Sequence, residues 1–197
     1  MPYNFDVYIS YRRRGEWPIW VKRHFLPLIY HWLSERLGRD PLIFFHERFL
    51  EIASPWPADL AKGLATSRVM VCLWSRSYFE SNWCLAELSQ MLFRQDAAPS
   101  CRLILPVIVH DGDRIPAPMR AMQPLDLSDY TNPRMVTGSP NSEKLSHLLK
   151  TFSESIFHAI DTSPPFRREW EYEVSNTLYD SLRGTVRPVS ISLPKIT

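Results

Sequence analysis

Val69-Met70-Val71-Cys72-Leu73-Trp74 is an uninterrupted apolar run, and its length is typical of a β-strand. A strand that is apolar on both faces belongs inside a parallel sheet that is covered on both sides. Residues 42–45 and 103–109 form similar apolar runs, and residues 5–10 alternate between apolar and polar side chains. These segments predict neighbouring strands of one sheet.

The segments between these strands carry helical patterns. Helices are predicted over residues 17–37, 57–65 and 82–94, and Pro27 predicts a kink or a broken first turn inside the first of them. A last strand near 125–127 precedes an amphipathic helix, whose apolar residues are Leu145, Leu148, Leu149, Phe152, Ile156 and Ile160. Strands that alternate with helices predict an α/β layered fold with right-handed crossovers.

The length of 197 residues suits one domain of ordinary size plus an extension. Ser163-Pro164-Pro165 interrupts the chain after the amphipathic helix. We therefore predict a domain over residues 1–162 and a C-terminal extension over residues 163–197. The extension contains both a helical spacing and an extended pattern, so its conformation and its role stay open.

Composition argues against several classes of protein. No apolar run approaches the ~18 residues of a membrane span, and the first residues lack the profile of a signal peptide. We expect a cytoplasmic protein with no membrane contact. A net charge of +2 is too small to indicate nucleic-acid binding. The cysteines and histidines lack metal-ligand spacing, so no metal site is predicted.

One acidic residue stands out in the stretch Ser81-Asn82-Trp83-Cys84-Leu85-Ala86-Glu87-Leu88. At helical spacing Glu87 shares its face with uncharged residues, namely Trp83, Cys84, Gln90 and Met91. Arg94 lies two turns away, beyond the reach of a helical ion pair. A carboxylate in such surroundings is a buried misfit or a working group. We interpret Glu87 as a working group; the alternative is a glutamate on the surface of the helix.

Three ordered segments resemble the Toll/interleukin-1 receptor (TIR) domain family. Residues 5–13 resemble its first strand and loop, residues 73–78 resemble its central strand with the following Ser-x-x-Tyr, and residues 81–88 are similar to the S-x-W-C-x-x-E-L signature of TIR domains that hydrolyse NAD. The resemblance covers residues 3–160. It implies a flavodoxin-like, three-layer α/β fold with a central five-stranded parallel sheet and a cleft at the carboxyl ends of the strands. Residues 46–54 depart from the family pattern because they contain no glycine.

The resemblance implies that Glu87 is catalytic and that NAD is cleaved between nicotinamide and ribose. Because nicotinamide leaves as a neutral pyridine and needs no proton, one carboxylate is sufficient to stabilise the developing sugar cation. The chain contains neither G-x-G-x-x-G nor a P-loop, which favours NAD as a consumed substrate over a redox cofactor. No cofactor is predicted.

The loops after the first three strands supply the expected cleft. Arg12 and Arg13 could bind a diphosphate through bidentate hydrogen bonds, although a solvated basic turn is the alternative. Glu47 could bind a ribose hydroxyl or form a salt bridge. Trp83 could face nicotinamide or pack in the core. The full set of expected substrate-binding residues is Ser10, Tyr11, Arg12, Arg13, Glu47, Trp56, Ser75 and Trp83.

The resemblance leaves the product and the setting open. An NAD glycohydrolase would give ADP-ribose, and a cyclase would give a cyclic ADP-ribose that signals to a separate effector protein, as in Thoeris antiphage systems. Members of this family also self-associate through TIR–TIR contacts. An adaptor that acts by association alone is the main alternative, and an enzyme similar to nucleoside deoxyribosyltransferases, with glutamate as nucleophile, is a third.

Overall fold

A computed structural model describes residues 3–45 and 56–171, with no side-chain description at 56–58. Its centre is a five-stranded parallel sheet in the order β2-β1-β3-β4-β5. The strands are β1 (Phe5–Tyr11), β2 (Ile43–Phe44), β3 (Ser67–Trp74), β4 (Ile104–Ile108) and β5 (Leu125–Asp126). The predicted α/β fold with a five-stranded parallel sheet is confirmed.

Helices cover the sheet on both faces. They are α1 (Trp17–Trp20), α2 (Leu26–Leu37), α3 (Trp56–Ala65), α4 (Arg76–Phe79), α5 (Asn82–Asp96), α6 (Ala117–Arg120) and α7 (Pro140–Asp161). Short 3₁₀ helices span Gly112–Arg114 and Ser128–Tyr130. Each predicted helix is present, with ends that differ from the predicted ones by a few residues.

Alternate residues of β1 point into two different cores, which makes the fold three-layered. Val7, Ile9 and Tyr11 belong to the core under α1, α2 and α7. Tyr8 belongs to the core under α3, α4 and α5. Ser10 shares the face of Tyr8, so two polar groups of the central strand point toward α5.

Pro27 interrupts the first helical stretch, as its sequence position predicts. A π-helix at Val21–Phe25 joins α1 to α2 and ends just before the proline. Proline has no N–H to donate and its ring crowds the preceding turn, so a regular hydrogen-bond ladder cannot continue through it. The wider turn keeps Val21 and Phe25 buried.

The start of the C-terminal extension packs against the domain. The indole of Trp170 is buried, and the Arg94 guanidinium lies 4.4 Å from its ring centre. Arg94 also donates to the carbonyls of Leu64 (3.1 Å) and Ser67 (3.0 Å). Tyr3 donates to the carbonyl of Pro164 at 2.8 Å. The rest of the extension, 172–197, lies outside the described residues, and the boundary at 162 stays a prediction.

Asp6 is a buried carboxylate at the amino end of β1. It accepts two hydrogen bonds from Arg39, each 2.7 Å long, and one from the Leu42 amide at 2.9 Å. Burial alone would raise the pKa of Asp6, but these bonds outweigh it and lower the pKa. The network joins β1 to the segment that enters β2.

Within residues 3–45 and 56–171, no helix is long and apolar enough to cross a bilayer. In the same part of the chain, no group of three His, Cys, Asp or Glu side chains is placed to hold a metal ion.

The backbone of α3 at Gly63 lies against the ring of Phe44 in β2. A Cβ at this position would overlap the ring of Phe44, which stacks on Tyr8 with ring centres 5.2 Å apart. Replacing Gly63 by Ala is therefore expected to lower the free energy of unfolding by about 1–3 kcal/mol, measured by urea denaturation. Gly38→Ala is the comparison. The space around Gly38 is open and its φ is +64°, so this substitution introduces backbone strain without overlap with a ring. An unchanged stability for Gly63→Ala would contradict this packing.

Candidate active site

Ser81 fixes the start of the helix that carries Glu87. Its side chain accepts the Cys84 amide at 3.5 Å, which satisfies one of the free N–H groups at the start of α5. Arg12 also donates to the Ser81 hydroxyl, at 2.8 Å. The loop after β1 is thus tied to the start of α5, and Glu87 lies in the second turn of this helix.

The carboxylate of Glu87 is 1% exposed and receives hydrogen bonds from outside its own helix. The Tyr8 hydroxyl donates to Oε1 at 2.8 Å, and the Ser10 hydroxyl donates to Oε2 at 2.6 Å. The Arg13 guanidinium lies 3.5 Å from Oε1. The alternative of a surface-facing glutamate is therefore wrong. Partners come from β1 and its loop, as the lack of a cation on the helical face requires.

The hydroxyl protons of this network have one consistent arrangement. The Ser10 hydroxyl has a single proton, which it donates in its hydrogen bond to Glu87. Tyr78 on α4, whose hydroxyl lies 2.9 Å from that of Ser10, must then be the donor between them. Burial raises the pKa of both Tyr78 and Tyr8 well above the ordinary value of 10.0. Both phenols therefore remain donors at neutral pH.

Arg13 covers the carboxylate at the loop end of the network. Its side chain is 17% exposed, and its guanidinium lies 5.7 Å from the ring centre of Tyr11. Burial alone would lower the pKa of Arg13, but the charge of Glu87 outweighs it and the pKa is raised. Arg13 therefore stays charged beside the acid.

Other predicted residues are spread around this centre. Tyr11 is buried on the opposite face of the sheet, where it stacks on Phe45 at 5.6 Å. Ser75 caps α4 by accepting the Tyr78 amide at 3.3 Å. Trp83 is half-buried and packs against the core under α5.

Two predicted positions cannot be placed. Glu47 lies outside the described residues, and so does the side chain of Trp56, whose backbone begins α3. The structure thus brings Ser10 and Arg13 to Glu87 directly and links Arg12 to the same helix through Ser81.

Sequence reasoning missed Tyr8 and Tyr78 as members of the network. Tyr8 precedes Ser10 by two residues on a strand, so the strand period places both hydroxyls on one face. Tyr78 belongs to the quoted Ser-x-x-Tyr, but its contact with Ser10 spans 68 residues. The strand period could have found Tyr8, whereas no local pattern reveals the Tyr78 contact.

Cys84, three residues before Glu87, is not activated as a nucleophile. It is 3% exposed, and burial together with the nearby Glu87 charge raises its pKa to about 12. The thiol is protonated at neutral pH, so Cys84 is a small buried apolar residue here.

A cavity of about 400 Å³ opens beside the carboxyl end of β1. Its lining residues are Tyr11, Gly15, Pro18, Ile19, Lys22, Arg23 and Phe45. Two cationic side chains thus line a space whose wall includes Tyr11, the residue that Arg13 overlies.

Comparison with known proteins gave a family match and matches among solved structures. A family model described as TIR domain matches residues 7–136. Among solved structures, the chain is similar to the TIR domains of the activated Roq1 resistosome that directly recognizes the pathogen effector XopQ. The identity is 17%, the match covers 92% of this chain and 99% of that chain, and the TM-score is 0.37. No curated protein matches the chain.

The bond from Tyr8 to Glu87 can be tested by removing one oxygen atom. Tyr8→Phe keeps the ring that stacks on Phe44 but leaves Oε1 of Glu87 without its hydroxyl donor. We expect a loss of about 1–3 kcal/mol in the free energy of unfolding, measured by urea denaturation. Tyr30→Phe, at a residue that is 42% exposed, is the matched control and should change stability far less. Equal effects of the two substitutions would show that the buried bond contributes nothing.

Proposed function

The chain belongs to the TIR domain family, and on this premise we propose that it is an enzyme that consumes NAD by cleaving the bond between nicotinamide and ribose. One observation carries the proposal. The Glu87 carboxylate is 1% exposed, and three donors hold it beside the carboxyl end of the central strand β1. Parallel α/β sheets place their ligand sites at this edge.

The reaction needs an anion more than it needs an acid. The bond between ribose C1′ and the pyridinium nitrogen breaks, its electron pair goes to the nitrogen, and neutral nicotinamide leaves. The remaining oxocarbenium ion takes a nucleophile at C1′, and that nucleophile loses a proton. Glu87 would bind the ribose hydroxyls and stabilise the positive sugar, and its charge acts more strongly in a dry site than in water.

A purely structural role accounts poorly for the charge at position 87. Burying a carboxylate is costly, and well-packed apolar residues often stabilise a core as much as a buried ion pair does. An adaptor that acts by TIR–TIR association alone would need no charge at this place. The hydroxyls of Tyr8 and Ser10 instead fix the carboxylate in one orientation, which is the preorganisation that charge stabilisation requires.

The product follows from which nucleophile reaches C1′. Water gives ADP-ribose, whereas an atom of the same dinucleotide gives a cyclic ADP-ribose. We propose that this product acts as a signalling nucleotide for a separate effector protein in antiphage defence, and that self-association through TIR–TIR contacts supports the activity.

Nicotinamide release from NAD tests the proposed activity. Purified full-length protein at high concentration should release nicotinamide, detected by chromatography, and Glu87→Gln should lower the rate on the order of 100-fold or more because it removes the anion. Glu80→Gln is the matched control. Glu80 lies on the surface in an ion pair with Arg76, so its substitution should leave the rate unchanged.

The far-ultraviolet circular dichroism of each variant verifies that the fold is kept. Equal rates of nicotinamide release by the wild type and Glu87→Gln would show that Glu87 does not take part in the reaction. No release by the wild type, even at high concentration, would favour the adaptor.

A further inference from the structure

Glu87 is covered, so a substrate can reach it only if a covering group moves. Tyr8 and Ser10 are fully buried in β1, paired across the sheet with Met70 and Cys72, and cannot leave without breaking the central strands. Arg13 lies two residues beyond the end of β1 and is 17% exposed. Of the three donors that bind Glu87, Arg13 is therefore the one that can be displaced.

We propose that Arg13 is a specificity-determining residue that covers Glu87 in the free protein and leaves it to bind the diphosphate of a dinucleotide substrate. This inference rests on the proposed function and extends it to substrate choice. The contact that joins Arg13 to Glu87 is long, with Nη2 of Arg13 3.5 Å from Oε1 of Glu87. The hydroxyl bonds from Tyr8 and Ser10 are shorter, at 2.8 and 2.6 Å.

Charge balance explains why moving Arg13 away from Glu87 requires both the pyridinium riboside and the diphosphate of the substrate. We call this movement the exchange. Removing Arg13 would leave a buried carboxylate without a cation, which is strongly unfavourable. The pyridinium riboside of NAD is itself a cation and replaces the lost charge beside Glu87. The diphosphate is an anion and gives the guanidinium a bidentate partner. Each charge is therefore matched before and after the exchange.

The structure offers Arg13 a place to bind that diphosphate. The guanidinium lies over the ring of Tyr11, 5.7 Å from its centre. Tyr11 lines the cavity of about 400 Å³ that Lys22 and Arg23 also line. A diphosphate in this cavity would meet Lys22 and Arg23, with Arg13 over the Tyr11 ring in its wall, and an anion is favoured there over a neutral group.

We call this movement of Arg13 from Glu87 to the diphosphate the gate. It predicts a preference between two substrates with the same reacting bond. Nicotinamide riboside contains the pyridinium and the ribose of NAD but no phosphate, so nothing in it attracts Arg13 away from Glu87. A charge-assisted hydrogen-bonded contact of this kind corresponds to about 10- to 100-fold in an equilibrium constant. We expect the wild type to favour NAD over the riboside by at least this factor in kcat/KM.

Steady-state cleavage of both substrates by the full-length protein tests the gate. Arg13→Gln should lower the preference for NAD at least tenfold, because NAD cleavage falls while riboside cleavage stays equal or rises. Arg13→Lys keeps the charge without the planar fork, so it should retain part of the preference. Arg14→Gln, one residue further along the loop and exposed, should leave the ratio unchanged.

The outcomes separate this inference from the proposed function. If Arg13→Gln lowers cleavage of both substrates in proportion, Arg13 merely supports Glu87 and the gate is wrong. An unchanged ratio, or a riboside rate that stays undetectable in the variant while NAD cleavage falls, also overturns the gate. If the wild type releases nicotinamide from neither substrate, the proposed function fails and the gate fails with it.

Discussion

The hydrogen bonds from Tyr8 and Ser10 to Glu87 join the central strand to the helix that covers it. Tyr8 and Ser10 are adjacent on one face of β1, so the two hydroxyls meet the two oxygens of one carboxylate at 2.8 and 2.6 Å. The lengths and directions of these bonds restrict where α5 can lie on the sheet. Gly63 allows Phe44 to stack on Tyr8, and Tyr78 donates to Ser10, so α3 and α4 are placed by the same two residues. A cluster of hydroxyls around one charge thus positions three helices.

The two buried carboxylates of β1 and α5 have different surroundings and suit different roles. Asp6 lies at the amino end of β1, where Arg39 pairs with both of its oxygens and is itself 48% exposed. That network links two segments of chain at the edge away from the expected ligand site. Glu87 lies near the carboxyl end, where two neutral hydroxyls form its shorter bonds and the cation lies further away. A carboxylate that neutral groups orient keeps more of its field for an incoming cation than one in a bidentate ion pair.

Much of the fold follows from local patterns, and much of the site does not. The apolar run at 69–74 and the alternation of apolar and polar residues at 5–10 predicted central strands. Such predictions are possible because the pattern of apolar side chains along a strand reflects which of its faces are buried. Its own helix offers Glu87 no cation, so a charged partner can only come from another part of the chain. The identity of that partner was hidden, since Tyr8 and Glu87 are 79 residues apart and nothing local links them. Arg12 binds Ser81 at the start of α5, and its contact with substrate stays a prediction. A basic residue in a loop carries no local sign of whether its partner is a ligand or a helix end.

If Glu87 and Arg13 act as proposed, the carboxylate of Glu87 faces the ribose of bound NAD while Arg13 turns to the diphosphate. A crystal structure of the full-length protein with a carbocyclic NAD analogue, which cannot form the oxocarbenium ion, measures this directly. We expect the ribose hydroxyls to lie within hydrogen-bond distance of Glu87, the bonds from Tyr8 and Ser10 to be intact, and Arg13 to bind the diphosphate. An analogue bound away from Glu87, with Arg13 still covering the carboxylate, would contradict it.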